Sequence, residues 1–269
     1  MFAARFVIIL RPCLYAAIYL LIHKIMSETL RLAKQLSAQL GCSRREAEIY
    51  IEGGYVTVDD VLIEEPGFRV EATQKLALLP GASLQAIEPV TILLHKPAGL
   101  GGAQGEYGAS SSLGLITAEN LAPDDRSGLR LLKKHLTGLK PVSALETMAG
   151  GLQIWTQDWH IARKLVDDAA KVEYEYIVEV SGSLQPDGLA LLNHGLNFNG
   201  KALPPIKVSW QNETRLRFAL KTPPLGLIQH MCEKVGLQVV AMKRIRIGRV
   251  PMAGLAAGQW RYLLGYERF

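Results

Sequence analysis

The hydrophobic positions along the chain change their spacing several times, and each change marks an element. From Ser27 to Leu40 the apolar residues Leu30, Ala33, Leu36 and Leu40 recur every three or four positions. That spacing predicts a helix with one buried face, ended by Gly41. Ser43 stands three residues before Glu46, a capping-box pattern that predicts a second helix to about Glu52, closed by Gly53-Gly54. Two short strand-like runs, Tyr55–Val58 and Val61–Ile63, flank Asp59-Asp60 as a hairpin turn, and Lys75–Leu79 supplies a third strand. Residues 81–89 read as a linker between a small module over 26–80 and a larger one over 90–269.

The larger module opens on the apolar run Val90–Leu94, which leads into His95-Lys96-Pro97. Residues 99–114, rich in Gly and Ser, are expected to form a mobile surface loop. Strand-like segments follow at Pro141–Leu145, Leu152–Thr156, Glu173–Val180, Ile206–Trp210 and Leu216–Leu220. Helical patterns at Trp159–Ala169, Pro186–His194 and Leu227–Val235 separate some of them. Irregular alternation of this kind predicts an α+β domain with a large mixed sheet, not a doubly wound one. Trp155 and Trp159, four apart, are expected in the core. The chain has no internal repeat and no low-complexity tract.

Residues Phe2–Ile22 form an apolar stretch interrupted by Arg5, Arg11 and Pro12. One reading is a membrane segment, although each arginine near its middle would cost about 2.5–3.5 kcal/mol on insertion. The other is that translation begins at Met26, and this is the reading we expect. With no other stretch long enough to span a bilayer, the expected location is cytoplasmic. The formal charge of +5 agrees with a polyanionic partner without requiring one. Three scattered cysteines, Cys13, Cys42 and Cys232, have no metal or redox spacing and fit a reducing compartment.

Charge becomes informative only locally. Residues 26–88 carry six Lys/Arg against ten Asp/Glu, so a polyanion site on the small module must be a patch. Arg44 and Arg45 fall in the first turn of the capped second helix, where the helix dipole already favours phosphate. Arg31 and Lys34, one turn apart on the preceding helix, can join them. A solvated charged face is the plainer explanation of such pairs.

These residues carry a resemblance. Arg31-Leu32-Ala33-Lys34, Gly41-Cys42-Ser43-Arg44-Arg45-Glu46-Ala47-Glu48, Ile51 and Gly54-Tyr55-Val56-Thr57-Val58 together resemble the S-four-type RNA-binding domain. The larger module resembles the bacterial ribosomal-RNA pseudouridine synthases of the RsuA/RluB/RluF-like branch. The matching segments are Ile92–Gly99, Gly151-Leu152, Thr156-Gln157-Asp158, Glu173–Val180, Met231-Cys232-Glu233, Lys243–Gly248 and Gly258–Arg261. The resemblance implies a small α/β RNA-binding domain followed by a synthase domain with a mainly antiparallel mixed sheet. It implies structured RNA, above all ribosomal RNA, as partner, a monomer, and no cofactor or metal.

It also exposes departures. Where the family has Asn-Gly at the small module's hairpin, this chain has Asp59-Asp60, so the turn is expected to differ. The family's Gly-Arg-Leu-Asp reads Ser143-Ala144-Leu145-Glu146, placing Glu146 at the catalytic carboxylate and Ala144 at its arginine. Tyr176 matches the tyrosine that packs on the target base, but Tyr174 replaces a lysine. The basic run before Met231 reads Pro224–His230, and the arginine that would pair with the carboxylate is Gln229. A carboxylate displaced by about 1 Å costs ~100-fold in rate. Losing a charge-assisted partner costs a further 1.5–3 kcal/mol or so.

Two functional expectations follow: an RNA-binding protein that keeps the synthase scaffold with catalysis lost or much reduced, and an active synthase that uses Glu146. In the plainest reading Glu146 is an ordinary cleft glutamate, and His95 and His230 serve packing or phosphate contacts. Lys96 is the first candidate for a missing cation and for an RNA contact. On an alternating strand Arg244 and Arg246 should share one face with Ile245 and Ile247 opposite, so that Lys243, Arg244 and Arg246 line an RNA cleft. A solvated sheet face is the alternative.

Overall fold

The computed structural model describes residues 29–101, 111–221 and 223–269. The apolar stretch Phe2–Ile22 and most of the Gly/Ser-rich segment 99–114 lie outside them. Among the described residues no helix is long and apolar enough to cross a membrane. The chain divides into two units, one running to Glu88 and including Leu132–Thr137, the other comprising Pro89–Leu131 and Gly138–Phe269.

In the smaller unit β1 (Leu30–Arg31) leads into α1 (Leu32–Leu40), followed by α2 (Arg44–Glu52), β2 (Val56–Val58), β3 (Val61–Leu62), β4 (Arg69–Val70) and β5 (Leu76–Leu78). The helix expected from Ser27 begins only at Leu32. Leu30 and Arg31 are extended and pair with Val70 and Arg69. The first two helical amides, Leu32 and Ala33, donate to the carbonyls of Phe68 at 2.7 Å and Pro66 at 3.2 Å. A tertiary partner thus satisfies the helix start, and the local period extends beyond the helix itself. The capping box forms as expected: Ser43 Oγ accepts from Glu46 N at 3.2 Å, and Glu46 Oε2 accepts from Ser43 N at 2.7 Å.

Asp59 and Asp60 take φ of 49° and 66°, both left-handed. Asp59 Oδ1 accepts from Lys75 N at 2.9 Å and Oδ2 from Gln74 Nε2 at 2.8 Å, which ties down a turn that ordinarily favours Gly. Leu32, Leu36, Ala47, Ile51, Val56, Val58, Val70 and Leu76 form the core of this unit. Residues 132–137 join it through side-chain pairs the sequence did not suggest: Lys133 Nζ to Glu65 at 2.7 Å and Lys134 Nζ to Glu52 at 2.9 Å.

The larger unit comprises β6 (Thr91–Lys96), β7 (Lys140–Pro141), β8 (Ala149–Thr156), α3 (Trp159–Val166), β9 (Glu173–Gly182), α4 (Gly188–Asn193), β10 (Asn197–Phe198), β11 (Lys201–Ala202), β12 (Lys207–Trp210), β13 (Arg215–Lys221), α5 (Leu227–Lys234), β14 (Leu237–Ile247), β15 (Val250–Pro251) and β16 (Trp260–Tyr262). Its main sheet runs β12-β13-β9-β14-β8-β6-β16, with β15 added to β14 and β7 to β8. All these pairs are antiparallel except β14–β8. The fold is α+β with a large, mainly antiparallel mixed sheet. Of the two tryptophans expected inside, Trp155 is in the core, whereas Trp159 at the start of α3 is 61% exposed. A four-residue spacing aligns two side chains only within one helix, and here β8 ends between them.

Even-numbered residues of β9 and β13 point into the main core: Tyr174, Tyr176, Val178, Leu216, Phe218 and Leu220. Odd-numbered ones face outward. Strand β14 holds the same division only through an irregularity, for its register against β9 slips between Arg244, opposite Tyr176, and Arg246, opposite Glu175. Directly opposed residues share a sheet face. Arg244 therefore joins Tyr176 on the core face and Arg246 joins Glu175 on the outer one. The expectation that the two arginines share a face is corrected by this bulge.

The tightest point of the sheet is where β8 meets β14. Gly151 has φ +108°, and a Cβ there would lie 2.2 Å from the Arg244 carbonyl oxygen and 2.6 Å from its nitrogen. Only glycine fits. We expect Gly151→Ala to cost at least ~3 kcal/mol, lowering the melting temperature by about 6–12 °C. Gly114→Ala, where a Cβ meets nothing within 4 Å, should leave it within about 2 °C. Equal thermal scans of the two variants would refute the tight-approach argument.

Candidate functional site

On the smaller unit Arg31, Lys34, Ser43, Arg44 and Arg45 are all exposed. Arg44 Nε lies 3.5 Å from Glu48, one turn on, in a solvent-facing pair of small energetic weight. Arginines in the first turn of a helix oppose its dipole by roughly 0.3–1 kcal/mol each. An anion bound there would remove that penalty. Ser43 spends its hydroxyl on the cap, so its part at such a site is to hold the turn.

On the larger unit Glu146 and Tyr176 line one cleft together with Ala144, Leu145, Pro223, Pro224, Leu225, Ile228 and Met242. The space it offers a water-sized molecule is about 10 Å³, room for roughly one water. Glu146 lies in a turn entering β8, its carbonyl accepting from Ala149 N at 3.0 Å. Its carboxylate Oε1 accepts from the amide of Gly226 at 2.6 Å. Gly226, at φ 81°, is the N-cap of α5, so the carboxylate sits at the positive end of a helix, where a negative charge is favoured. Among the described residues no lysine or arginine is hydrogen-bonded or ion-paired to it. Gln229, where the resemblance would place the partner arginine, instead donates from Nε2 to Glu233 at 2.9 Å along α5. Gly226 was missed by sequence reasoning. A glycine just before the apolar period of α5 was a signal for an N-cap.

Behind the cleft stand two buried cations. Arg244 is 1% exposed. Its guanidinium donates to the carbonyls of Leu152 at 2.7 Å, Ala144 at 2.8 Å and Ser143 at 3.1 Å, to Ser143 Oγ at 3.1 Å, and to the Tyr176 hydroxyl at 3.4 Å. It also lies over the rings of Tyr174 and Tyr176, 5.6 and 6.0 Å from their centroids. Lys96 is 0% exposed. Its ammonium donates to the carbonyls of Leu100 at 2.7 Å, Pro97 at 3.1 Å and Thr147 at 3.4 Å. Gly151 lies between them in register, paired with Lys96 on one side and Arg244 on the other. The two side chains thus hold the loop bearing Glu146 from behind, through its carbonyls.

These positions correct three expectations. Burial keeps Lys96 and Arg244 from any phosphate, and Lys96 does not supply a cation to the Glu146 carboxylate. Arg246 is held by Glu173 at 2.6 Å and Glu175 at 2.8 Å. Its bonds and those of Arg217 bring the Glu175 carboxyl down to about 2. Lys243 alone of the three strand cations is exposed and faces outward. The histidines pack: His95 Nδ1 donates to the Leu255 carbonyl at 2.7 Å, with burial holding its pKa down, and His230 Nε2 donates to Asn197 O at 3.0 Å beside Phe198. Burial also raises the Tyr174 phenol. Among the described residues no group of three or more His, Cys, Asp or Glu could hold a metal.

Removing the Arg244 head group would strand the carbonyls of Ser143 and Leu152. Arg244→Met is therefore expected to cost about 3 kcal/mol or more. Arg244→Lys should recover only part of this, because one ammonium cannot span the forked contacts. Urea denaturation would decide; a loss under ~1 kcal/mol for Met would show that these bonds do not hold the loop.

Comparison with known proteins agrees with this architecture. Residues 30–76 match the S4 domain family. The chain is 28% identical to an uncharacterized RNA pseudouridine synthase of Aquifex aeolicus, over 88% of this chain and 94% of that one. It is 26% identical to the dual-specificity RNA pseudouridine synthase RluF of Escherichia coli, over 89% and 77%. To the ribosomal small subunit pseudouridine synthase A of Vibrio cholerae it is 25% identical, over 88% and 97%. Its fold matches a crystal structure of a pseudouridylate synthase with a TM-score of 0.55 at 17% identity, covering 87% of this chain and 96% of that one. The chain thus carries an S4 domain and, over most of its length, is similar to the RsuA, RluB and RluF pseudouridine synthases.

Proposed function

We propose that this protein binds structured RNA, ribosomal RNA above all, in the cytoplasm and as a monomer, with uridine isomerisation lost or much reduced. The observation that carries the reading is the state of Glu146. Its carboxylate is engaged by the Gly226 amide, with Gln229 turned away. The cleft it shares with Tyr176 is narrow and is lined on one side by Pro223, Pro224 and Leu225. A carboxylate that acts at a ribosyl carbon needs room for the nucleotide and freedom to reorient, and the narrow cleft together with the Gly226 bond to Oε1 restricts both. RNA binding is assigned to Arg31, Lys34, Arg44 and Arg45, with Ser43 holding the turn, and on the larger unit to Lys243. Lys96 and Arg244 become positioning residues behind the cleft.

One observation favours a second reading, catalysis by Glu146: that residue and Tyr176 do line the same cleft. A single-turnover assay on ribosomal RNA separates the two. We expect no detectable pseudouridine from the wild type, and little from Glu146→Asp alone. Glu146→Asp with Ala144→Arg and Gln229→Arg should recover most, because groups that act as one unit are strongly non-additive. Robust wild-type turnover abolished by Glu146→Gln would overturn the proposal.

Binding is tested separately. Replacing Arg44 and Arg45 together by Ala should weaken RNA binding and flatten the log–log salt dependence by about two contacts. An unchanged slope and affinity would remove that helix from the interface.

A further inference from the structure

The outward face of β12, β13, β9 and β14 is a second charged surface, distinct from the cleft. Cross-strand register places Lys207, Ala219, Glu175 and Arg246 in one row, and Ser209, Arg217, Ile177 and Lys243 in the next. Lys221 opposite Glu173, and Arg215 opposite Glu179, which pairs on its other side with Ala241, extend the face at either end. Apart from Glu175 these residues are exposed or half-buried, so the face is open to solvent along four strands.

Its charges do not cancel. Six cations (Lys207, Arg215, Arg217, Lys221, Lys243 and Arg246) face three carboxylates, Glu173, Glu175 and Glu179. Every carboxylate is engaged by an arginine: Glu179 by Arg215 at 2.9 Å, Glu175 by Arg217 at 2.7 Å and Arg246 at 2.8 Å, and Glu173 by Arg246 at 2.6 Å. The acids are spent within the sheet. The ammonium groups of Lys207, Lys221 and Lys243 have no hydrogen-bond or ion-pair partner among the described residues. Between them lie Ser209, Ala219, Ala241 and Ile177 beside the paired Arg217 and Glu175.

Resting on the RNA-binding reading above, we infer that this open face is a docking surface for the sugar-phosphate backbone of RNA, contacted by Lys207, Lys221 and Lys243. Charge complementarity selects the partner. A surplus of three separated cations on a level surface suits an extended polyanion, whereas an acidic protein patch would have to match fixed spacings. The face carries no aromatic side chain on which a base could stack. Its contribution is therefore sequence-tolerant and sensitive to salt, positioning the RNA without reading it. The arginine–glutamate ladder keeps the strands' outer side rigid and prevents the carboxylates from repelling phosphate.

The test uses the full chain and a structured ribosomal-RNA fragment, with affinity measured by fluorescence anisotropy across a salt series. Lys207→Gln, Lys221→Gln and Lys243→Gln together should lower affinity about tenfold or more near 0.1 M salt and reduce the log–log slope by two to three. Lys164→Gln with Lys201→Gln, equally exposed but off this face, should change the affinity less than twofold. If the triple variant fails to fold by circular dichroism, the three single variants must each reduce the slope by about one. Should the wild type bind and the Arg44/Arg45 variant weaken while the lysine variants stay unchanged, this inference fails and RNA binding stands. A wild type that does not bind RNA at all removes both.

Discussion

The close approach of two strands at one glycine is the constraint on which the rest of this structure depends. With no Cβ at Gly151, the backbone of β14 comes near enough to carry the Arg244 side chain into the interior beneath the Glu146 loop. A guanidinium there must find acceptors, because burying an unpaired charge costs several kcal/mol. It finds them in the carbonyls of Ser143, Ala144 and Leu152 and in the hydroxyls of Ser143 and Tyr176. The loop, the tyrosine and the strand pairing are thereby one unit. Tyr174 fits this arrangement better than a lysine would, for its ring faces the guanidinium where an ammonium would repel it.

The same unit shows how the cleft holds a carboxylate with no arginine or lysine bonded to it among the described residues. A carboxylate facing Gln229 and Ala144 would be left with poor partners, yet Glu146 is one methylene longer than aspartate and reaches the N-cap amide of α5. A backbone N–H plus the fractional charge of a helix end is a weaker partner than a bidentate guanidinium, but it costs no side-chain ordering. That bond satisfies one oxygen of the carboxylate. The length of the Glu146 side chain and its backbone partner are therefore matched to each other within one site.

How much of this was legible in the sequence depended on how local the determining interaction was. The capping box at Ser43 and Glu46 closes within four residues, and it forms as read. The strand-like runs Glu173–Val180 and Leu216–Leu220 are each patterns of one strand, and they form as β9 and β13. The bulge after Arg244 is different: a slip of one residue against a strand some 70 positions earlier reverses a face, and nothing in Lys243–Ile247 announces it. Lys96 and Trp159 fail for a related reason. A lysine is read as exposed and a tryptophan as buried, but a loop of carbonyls took the first and the end of β8 released the second. The start of α1 belongs here too, since its amides were claimed by a loop more than 30 residues away.

Net charge was the least informative quantity, and the structure shows why. Many of the cations that produce the formal +5 are consumed internally. Arg215, Arg217, Arg246 and Arg261 pair with glutamates, Lys133 and Lys134 are taken by carboxylates of the acidic smaller unit, and Arg244 is bound by carbonyls. Of the exposed cations that remain, two groups are proposed to meet RNA: Arg31, Lys34, Arg44 and Arg45 on one unit, and Lys207, Lys221 and Lys243 on the other. Counterion release scales with the number of phosphates actually neutralised and takes no account of overall charge. The surplus that matters is the one that remains after the fold has satisfied its own carboxylates, and only the side-chain geometry reveals it.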